Sequence, residues 1–181
     1  MAIRLKILRK QYGWSLERLA EQTGLTKSYL SKVERGLSTP SIAVALKLSQ
    51  ALQVEVEQLF AEQHNCGLIC VTRADARLPL GAAGEKTYES MAAQMGAKRM
   101  MPFMVYPPRD FTASAFKEHA GEEFLFVHQG DVEVEFPTET VRLAPGDSLY
   151  FNSLIPHRTR SVGEVQAQLL VLVSNMAAVP E

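Results

Sequence analysis

The chain has 181 residues, of which 46% are hydrophobic and 22% charged, with a formal net charge of −1 at pH 7. These are globular values and exclude a disordered or low-complexity scaffold. No apolar run approaches the roughly 20 residues that a membrane-spanning helix needs, and the start Met1-Ala2-Ile3-Arg4-Leu5-Lys6 is charged and amphipathic rather than a signal peptide. A cytoplasmic protein without membrane contact is expected.

The near-neutral total hides a split. Residues 1–52 hold nine Lys/Arg against three Glu, a net +6, and the remainder carries −7. A basic head on an acidic body suits a protein that docks on DNA at one end. The length allows two small domains. The expected division is a DNA-binding domain over 1–62, a linker over 63–66 and a second domain over 67–181.

Residues 2–12 read as a first helix, with Leu5, Leu8 and Tyr12 on one face. Ser15 caps a second helix in which Leu16, Leu19 and Ala20 fall at i, i+3 and i+4. Gly24 ends it. Thr26 caps a third helix, with Leu30 and Val33 inward and Lys27, Ser28, Tyr29, Ser31, Lys32 and Arg35 outward. Two short helices joined by a Gly-bearing turn read as a helix-turn-helix. An αα-hairpin that only packs is the alternative. In Ser38-Thr39-Pro40, Thr39 is expected as the cap of a fourth helix and Pro40 as its first residue. Ile42, Ala45, Leu46 and Ser49 would form its inward face, and Glu55 to Phe60 would form a fifth short helix.

The stretches G-W-S-L-E-R-L-A, T-G-L-T-K-S-Y-L-S-K-V-E-R-G and S-T-P-S-I-A-V-A-L-K-L-S-Q-A-L resemble the DNA-binding domain of the phage-repressor and Cro (XRE) family. The resemblance implies a double-stranded DNA operator as partner and a homodimer on two half-sites. Ser15, Thr26, Lys27, Ser28, Tyr29, Ser31, Lys32 and Arg35 would then meet phosphates and base edges, and Ser38 and Thr39 would lie near phosphate. Leu16 stands where the family often has a backbone-contacting Gln. The resemblance also implies that Arg9 pairs with Glu34, which makes both residues structural.

Glu62 to Gly67 reads as a junction, after which the pattern changes to period two. Strands are expected at Leu68 to Arg73, Thr87 to Ala93, Met100 to Tyr106, Glu122 to Val127, Asp131 to Phe136, Thr140 to Leu143, Ser148 to Phe151, His157 to Val162 and Val165 to Val173. Gly/Pro-bearing turns between short strands indicate a barrel or jelly roll. The fold class is therefore α+β in two domains: five helices, then a β-barrel. Cys66 and Cys70 are expected to be reduced. Phe103, Met104, Phe124, Phe126 and Tyr150 are assigned to the core. Met91, Met95, Met100 and Met101 are read as core or pocket lining, and His64 and His128 as outside any site. Arg158 and Arg160 are read as surface charges.

The segments K-E-H-A-G-E-E-F-L-F-V-H-Q-G and A-P-G-D-S-L-Y-F-N-S-L-I-P-H-R-T-R resemble the two motifs of the cupin family. His119, Glu123 and Gly130 match the first motif; Pro145-Gly146 and Pro156-His157 match the second. The resemblance implies that His119, Glu123 and His157 face one another inside a barrel. Two His and one carboxylate suit one divalent metal (Fe, Zn or Ni) with positions left open. The alternative is a metal-free barrel whose polar residues bind an effector. Lys117 stands where four-ligand cupins have a further His; its charge would oppose a cation and attract an anion.

The helix-turn-helix plus cupin arrangement also resembles that of hydroxypropylphosphonate epoxidase. In that comparison Tyr88 matches an active-site Tyr, while Gly13 stands where the enzyme has a substrate-holding Lys. Two readings follow. The first is a transcription regulator, a repressor, whose cupin senses a small polar metabolite through Tyr88, Lys117, His119, Glu123 and His157. The second is a mononuclear non-haem iron oxidase or epoxidase-like enzyme.

Overall fold

A computed structural model describes residues 4–60, 69–80, 87–96, 98–111 and 115–174. The chain divides into two compact units, one helical and one of β-strands. The expected linker at 63–66, together with His64 and Cys66, lies outside the described residues. Cys70 is a free, half-buried thiol.

The helical unit contains α1 (Leu5–Gln11), α2 (Leu16–Thr23), α3 (Lys27–Glu34) and α4 (Ile42–Ala51). Local chemistry sets most of their ends. Ser15 Oγ accepts the Arg18 N–H at 3.1 Å, and Thr26 Oγ1 accepts the Tyr29 N–H at 3.2 Å. Each satisfies one amide that helix geometry leaves without a partner. Between them Gly24 takes the left-handed conformation at φ +67°, which a Cβ would resist. Leu5, Leu19, Leu30, Val33, Leu48 and Leu52 are fully or almost fully buried and form the centre of this unit.

Two expectations for this unit need correction. Helix α4 is capped by Ser41, whose Oγ accepts the Val44 N–H at 3.3 Å, not by Thr39. Pro40 lies ahead of the helix, so Ser41 supplies the extended residue with a hydroxyl that an N-cap needs. Among the described residues there are also four α-helices rather than five. Residues Val56–Leu59 form one 3₁₀ turn, with no side-chain cap on Glu55. A segment this short does not regain the cost of nucleating an α-helix. It still buries Val56 and Leu59.

The second unit has nine strands: β1 (Leu78–Pro79), β2 (Tyr88–Ser90), β3 (Met100–Val105), β4 (Glu122–Gln129), β5 (Asp131–Glu135), β6 (Thr140–Leu143), β7 (Ser148–Asn152), β8 (Arg158–Val162) and β9 (Gln168–Ser174). They form a six-stranded sheet in the order β1-β2-β3-β9-β4-β7 and a three-stranded sheet in the order β6-β5-β8. The expected single closed barrel is not present among the described residues, because no ladder joins the two sheets. The β6–β7 connection crosses from one sheet to the other through Pro145, which has no N–H to give to a ladder. Residues 69–73 form no strand either. Ile69 and Val71 alternate as a strand would but are exposed, and among the described residues no neighbouring strand takes their backbone groups.

Gly130 makes the tight turn from β4 to β5 at φ +65°, where an added Cβ would lie 2.9 Å from Ala167 Cα. A side chain there meets both strain and backbone, so this motif glycine is a steric requirement of the hairpin.

The inner face of the large sheet carries Phe103, Leu125, Leu169 and Val171, all buried. The outer face corrects another expectation. Phe124 is only half-buried, Phe126 is exposed, and Tyr150 is 62% exposed. The register sets Pro102, Leu172, Phe124 and Tyr150 side by side across four strands, with Met104, Leu170 and Phe126 forming the next row. Alternation separated the two faces correctly. It could not say that on the second apolar face Phe126 and Tyr150 would stand exposed while Met104 is buried.

Candidate nucleic-acid interface and a buried His-Glu-His site

The third helix turns its single acid inward. Arg9 Nε donates to Glu34 Oε1 at 2.6 Å and Arg9 Nη2 donates to Glu34 Oε2 at 3.2 Å. Arg9 also donates to the Trp14 carbonyl. The Arg9 and Glu34 side chains are only 9% and 6% exposed. The carboxylate of Glu34, through its hydrogen bond, raises the Arg9 pKa. Glu34 therefore ties α3 to α1 and offers nothing to DNA, as the phage-repressor resemblance implied.

With Glu34 turned away, α3 shows solvent a basic and hydroxylic face. Lys27, Ser28, Lys32 and Arg35 are exposed, and Tyr29 and Ser31 are half-buried beside them. Ser15 and Thr26 are exposed, but both hydroxyls serve as caps. Lys27 pairs with Glu17. That hydrogen bond, more than any other contact, holds the Glu17 carboxyl down at about 2. Arg35 Nε donates to the Ser31 carbonyl at 3.1 Å. The Lys32 ammonium has neither an ion pair nor a hydrogen bond among the described residues. Burial raises the Tyr29 phenol's pKa and a hydrogen bond from Ser38 opposes the rise, which couples the start of α3 to the Ser38-Thr39 turn. Leu16, the family departure, is half-buried and has no polar group to give to DNA. The Glu17 contact was missed in the sequence. Its only trace is an acid in the first turn of α2 and a base in the first turn of α3.

The buried site stands on β4 and the segments flanking it. His119 lies ahead of β4, Glu123 is the second residue of β4, and His157 immediately precedes β8. His119 is held by its N–H to the Ser153 carbonyl at 3.0 Å. His157 is locked to Lys117 by a reciprocal pair of backbone hydrogen bonds at 2.8 and 3.0 Å. All three ligand-type residues are buried, and their donor atoms lie within 4.8 Å of one another. His119 Nε2 is 2.6 Å from Glu123 Oε1, and His157 Nε2 is 3.5 Å from the same oxygen. The Phe151 ring packs edge-on against His157 at 4.8 Å.

The other ring nitrogens decide the chemistry. His119 Nδ1 faces the Ala120 carbonyl at 3.2 Å, and His157 Nδ1 faces the Ile155 carbonyl at 2.9 Å. A carbonyl only accepts, so each Nδ1 is placed to donate, and each Nε2 is left to meet the carboxylate through a proton or a metal ion. Both Nε2 atoms then point at a carboxylate oxygen. That arrangement requires positive charge between them, either protons or a metal ion. Burial alone would raise the Glu123 carboxyl; hydrogen bonds from His119 and His157 outweigh it and hold the pKa at about 2. The residues thus fit a divalent cation bound by two Nε2 atoms and one carboxylate.

Lys117 is half-buried and sits directly opposite His157 in an antiparallel bridge. Burial lowers its pKa and the Glu123 charge opposes that shift. Tyr88 is buried with its ring edge-on to Phe103 at 6.2 Å. The register puts it on the inner face with Glu123, where packing against Phe103 is its visible role. His128 is exposed, as expected from its register. Arg158 and Arg160 are more than loose surface charges. They pair with Glu135 and Glu133, and both stack on the Phe111 ring, Arg158 also on Phe116.

Residues 5–59 match the helix-turn-helix family and residues 102–173 match the cupin domain. The chain is 28% identical over 155 residues to the HTH-type transcriptional regulator PuuR of Escherichia coli, covering 85% of this chain and 83% of that one. It is 50% identical over 62 residues to the HTH-type transcriptional regulator SinR of Bacillus subtilis, covering 34% of this chain and 56% of that one. A crystal structure of a helix-turn-helix-family transcriptional regulator from Vibrio cholerae superposes with a TM-score of 0.64 at 23% identity, over 95% of this chain and 93% of that one. That likeness is one of fold. A hydroxypropylphosphonic acid epoxidase structure from S. wedmorenis aligns at a TM-score of 0.47 and 21% identity, over 93% of this chain and 94% of that one, too remote to bear on chemistry.

Proposed function

The chain joins a helix-turn-helix domain to a cupin domain, and on that pairing we propose a DNA-binding transcription regulator, a repressor, that works as a homodimer and senses a small polar metabolite. The proposed division is a DNA-binding domain over 1–62, a linker over 63–66 and a sensor domain over 67–181. The observation that carries the reading is α3. Its Glu34 is turned inward on Arg9, so the outward face keeps Lys27, Ser28, Lys32 and Arg35. Helix starts, hydroxyls and bases are the groups that hold phosphates and reach base edges.

The test is a salt-titrated binding assay on the regulator's own upstream DNA against scrambled duplex. Selective binding that weakens steeply with salt is expected. Lys32→Ala should weaken operator binding by about 1–3 kcal/mol without changing the unfolding midpoint. Arg35→Ala should do the same. Unchanged affinity in both variants would remove α3 as the recognition helix.

The homodimer is supported by the outer face of the large sheet, where Tyr150 and Phe126 stand exposed beside Phe124, Leu170 and Leu172. A contiguous apolar face of this kind favours association, and two-fold pairing would set two recognition helices about one DNA turn apart. Phe126→Glu should shift the protein to monomer in sedimentation and weaken operator binding together. A dimer that survives the change would place the interface elsewhere.

In the cupin domain, His119, Glu123 and His157 would hold one divalent ion (Fe, Zn or Ni), leaving coordination positions for an effector. Such an ion would act as a Lewis acid toward the effector's oxygen atoms. The same triad favours a second reading, a mononuclear iron oxidase or epoxidase-like enzyme. Oxygen uptake by iron-loaded protein on candidate substrates would separate the two.

A further inference from the structure

We infer that the effector of the cupin site is a small oxyanion, a carboxylate or phosphate compound, and that Lys117 is the residue that selects it. The inference rests on the sensor reading above and names its ligand class.

Lys117 and His157 are directly opposed and exchange both backbone hydrogen bonds. Opposed residues of an antiparallel pair put their side chains on one face. His157 faces Glu123, so Lys117 faces it as well. Lys117 is also two residues from His119, which in extended chain points to the same side. Three backbone relations therefore bring one ammonium to the edge of the triad.

That ammonium is not used up. Among the described residues no hydrogen bond or ion pair takes the Lys117 Nζ. Glu123 is the one carboxylate of the cluster, and its Oε1 already receives both imidazoles. A divalent ion held by His119, Glu123 and His157 would more than neutralise the one carboxylate, and Lys117 on the same face adds a further positive charge. A half-buried site with surplus positive charge binds an anion and disfavours a cation.

An oxyanion supplies several acceptor positions, enough for an ammonium and an open metal position at once.

The test uses full-length protein, both apo and cobalt(II)-loaded, titrated calorimetrically with oxalate, inorganic phosphate and oxamide, the uncharged isostere of oxalate. At least one of the two anions should bind in both forms, and oxamide should bind at least about tenfold more weakly. Lys117→Met should lower anion affinity by about 10–100-fold, the worth of one charge-assisted hydrogen bond, and Lys117→Arg should retain most of it. Oxalate and phosphate separate the two sources by which one binds better. Cobalt uptake by Lys117→Met should be equal to or better than that of the parent, because a neighbouring positive charge has been removed. A merely structural Lys117 would instead leave the preference for oxalate over oxamide unchanged. The inference is overturned if neither anion binds, if oxamide matches oxalate, or if Lys117→Met binds anions as tightly as the parent. Failure to take up cobalt removes the metal from the sensor reading alone, since the apo titration still decides the ligand class.

Discussion

Glu34→Ala will unfold the DNA-binding domain at denaturant concentrations that the parent survives, lowering its stability by about 3–5 kcal/mol. The reason is the guanidinium left behind. Arg9 donates two hydrogen bonds to Glu34 with little water around either group, and removing one partner strands a buried charge. Arg9→Ala should cost a similar amount from the other side. Arg9→Met with Glu34→Leu should recover most of the loss, since a packed apolar pair of similar volume removes the desolvation penalty with the charges. The measurement is chemical denaturation followed at a helical signal, with the second domain's transition fitted separately. A Glu34→Ala protein of unchanged stability that has lost operator selectivity would mean that Glu34 reads DNA, and the assignment of this pair as structural would fall.

Glu123→Gln is expected to abolish stable metal uptake, lowering affinity by more than the roughly 10–100-fold typical of losing a supporting partner. The amide keeps the shape but not the charge that gathers His119 and His157. Affinity in the parent should fall as pH falls, because metal must displace protons from the ligand set. The metal-free protein carries a second signature. The Glu123 carboxyl is held at about 2, against 4.5 unperturbed. A folded-state pKa below the unfolded one stabilises the fold above the unfolded value, and that stability is lost as pH falls toward the folded value. The parent should therefore exceed Glu123→Gln in stability by on the order of 3 kcal/mol at neutral pH. The gap should narrow from about pH 5 and close near pH 2. Metal content of the purified variant, and denaturation of both apo proteins across that range, check the two claims. A stability gap that does not change with pH would show that Glu123 is not held as an ionised partner of the two imidazoles.

Much of the helical domain was legible because its signals are local. Ser15, Gly24 and Thr26 act within three residues of themselves, so the sequence names the ends of α2 and α3 directly. The cap of α4 was misread because Thr39-Pro40 and Ser41 both carry cap chemistry, and which hydroxyl is used depends on how the turn after α3 packs. The fifth helix shrank to a 3₁₀ turn for want of length. Most strands were found by alternation to within about three residues; β1 was missed because two residues carry no period, and the strand expected at 68–73 has no partner among the described residues.

The order of strands, by contrast, is not written in any segment. Nothing local to β9 says that it lies between β3 and β4, yet that placement sets Phe124 and Tyr150 on the outer face and Glu123 inside. The tautomers of His119 and His157 follow from the carbonyls of Ala120 and Ile155, backbone groups that no sequence pattern distinguishes. By itself the sequence determined the helix-turn-helix, the two cupin motifs and the three ligand types at their spacing. These depend on residue identity and on periodicities of two and 3.6, which act over a few positions. Only the tertiary structure decided that Arg9 closes on Glu34, that both imidazoles converge on one carboxylate oxygen, and that Lys117 bridges to His157. Each of these is a contact between groups brought together by long-range pairing and selected by burial, where a charge must find a partner or shift its equilibrium.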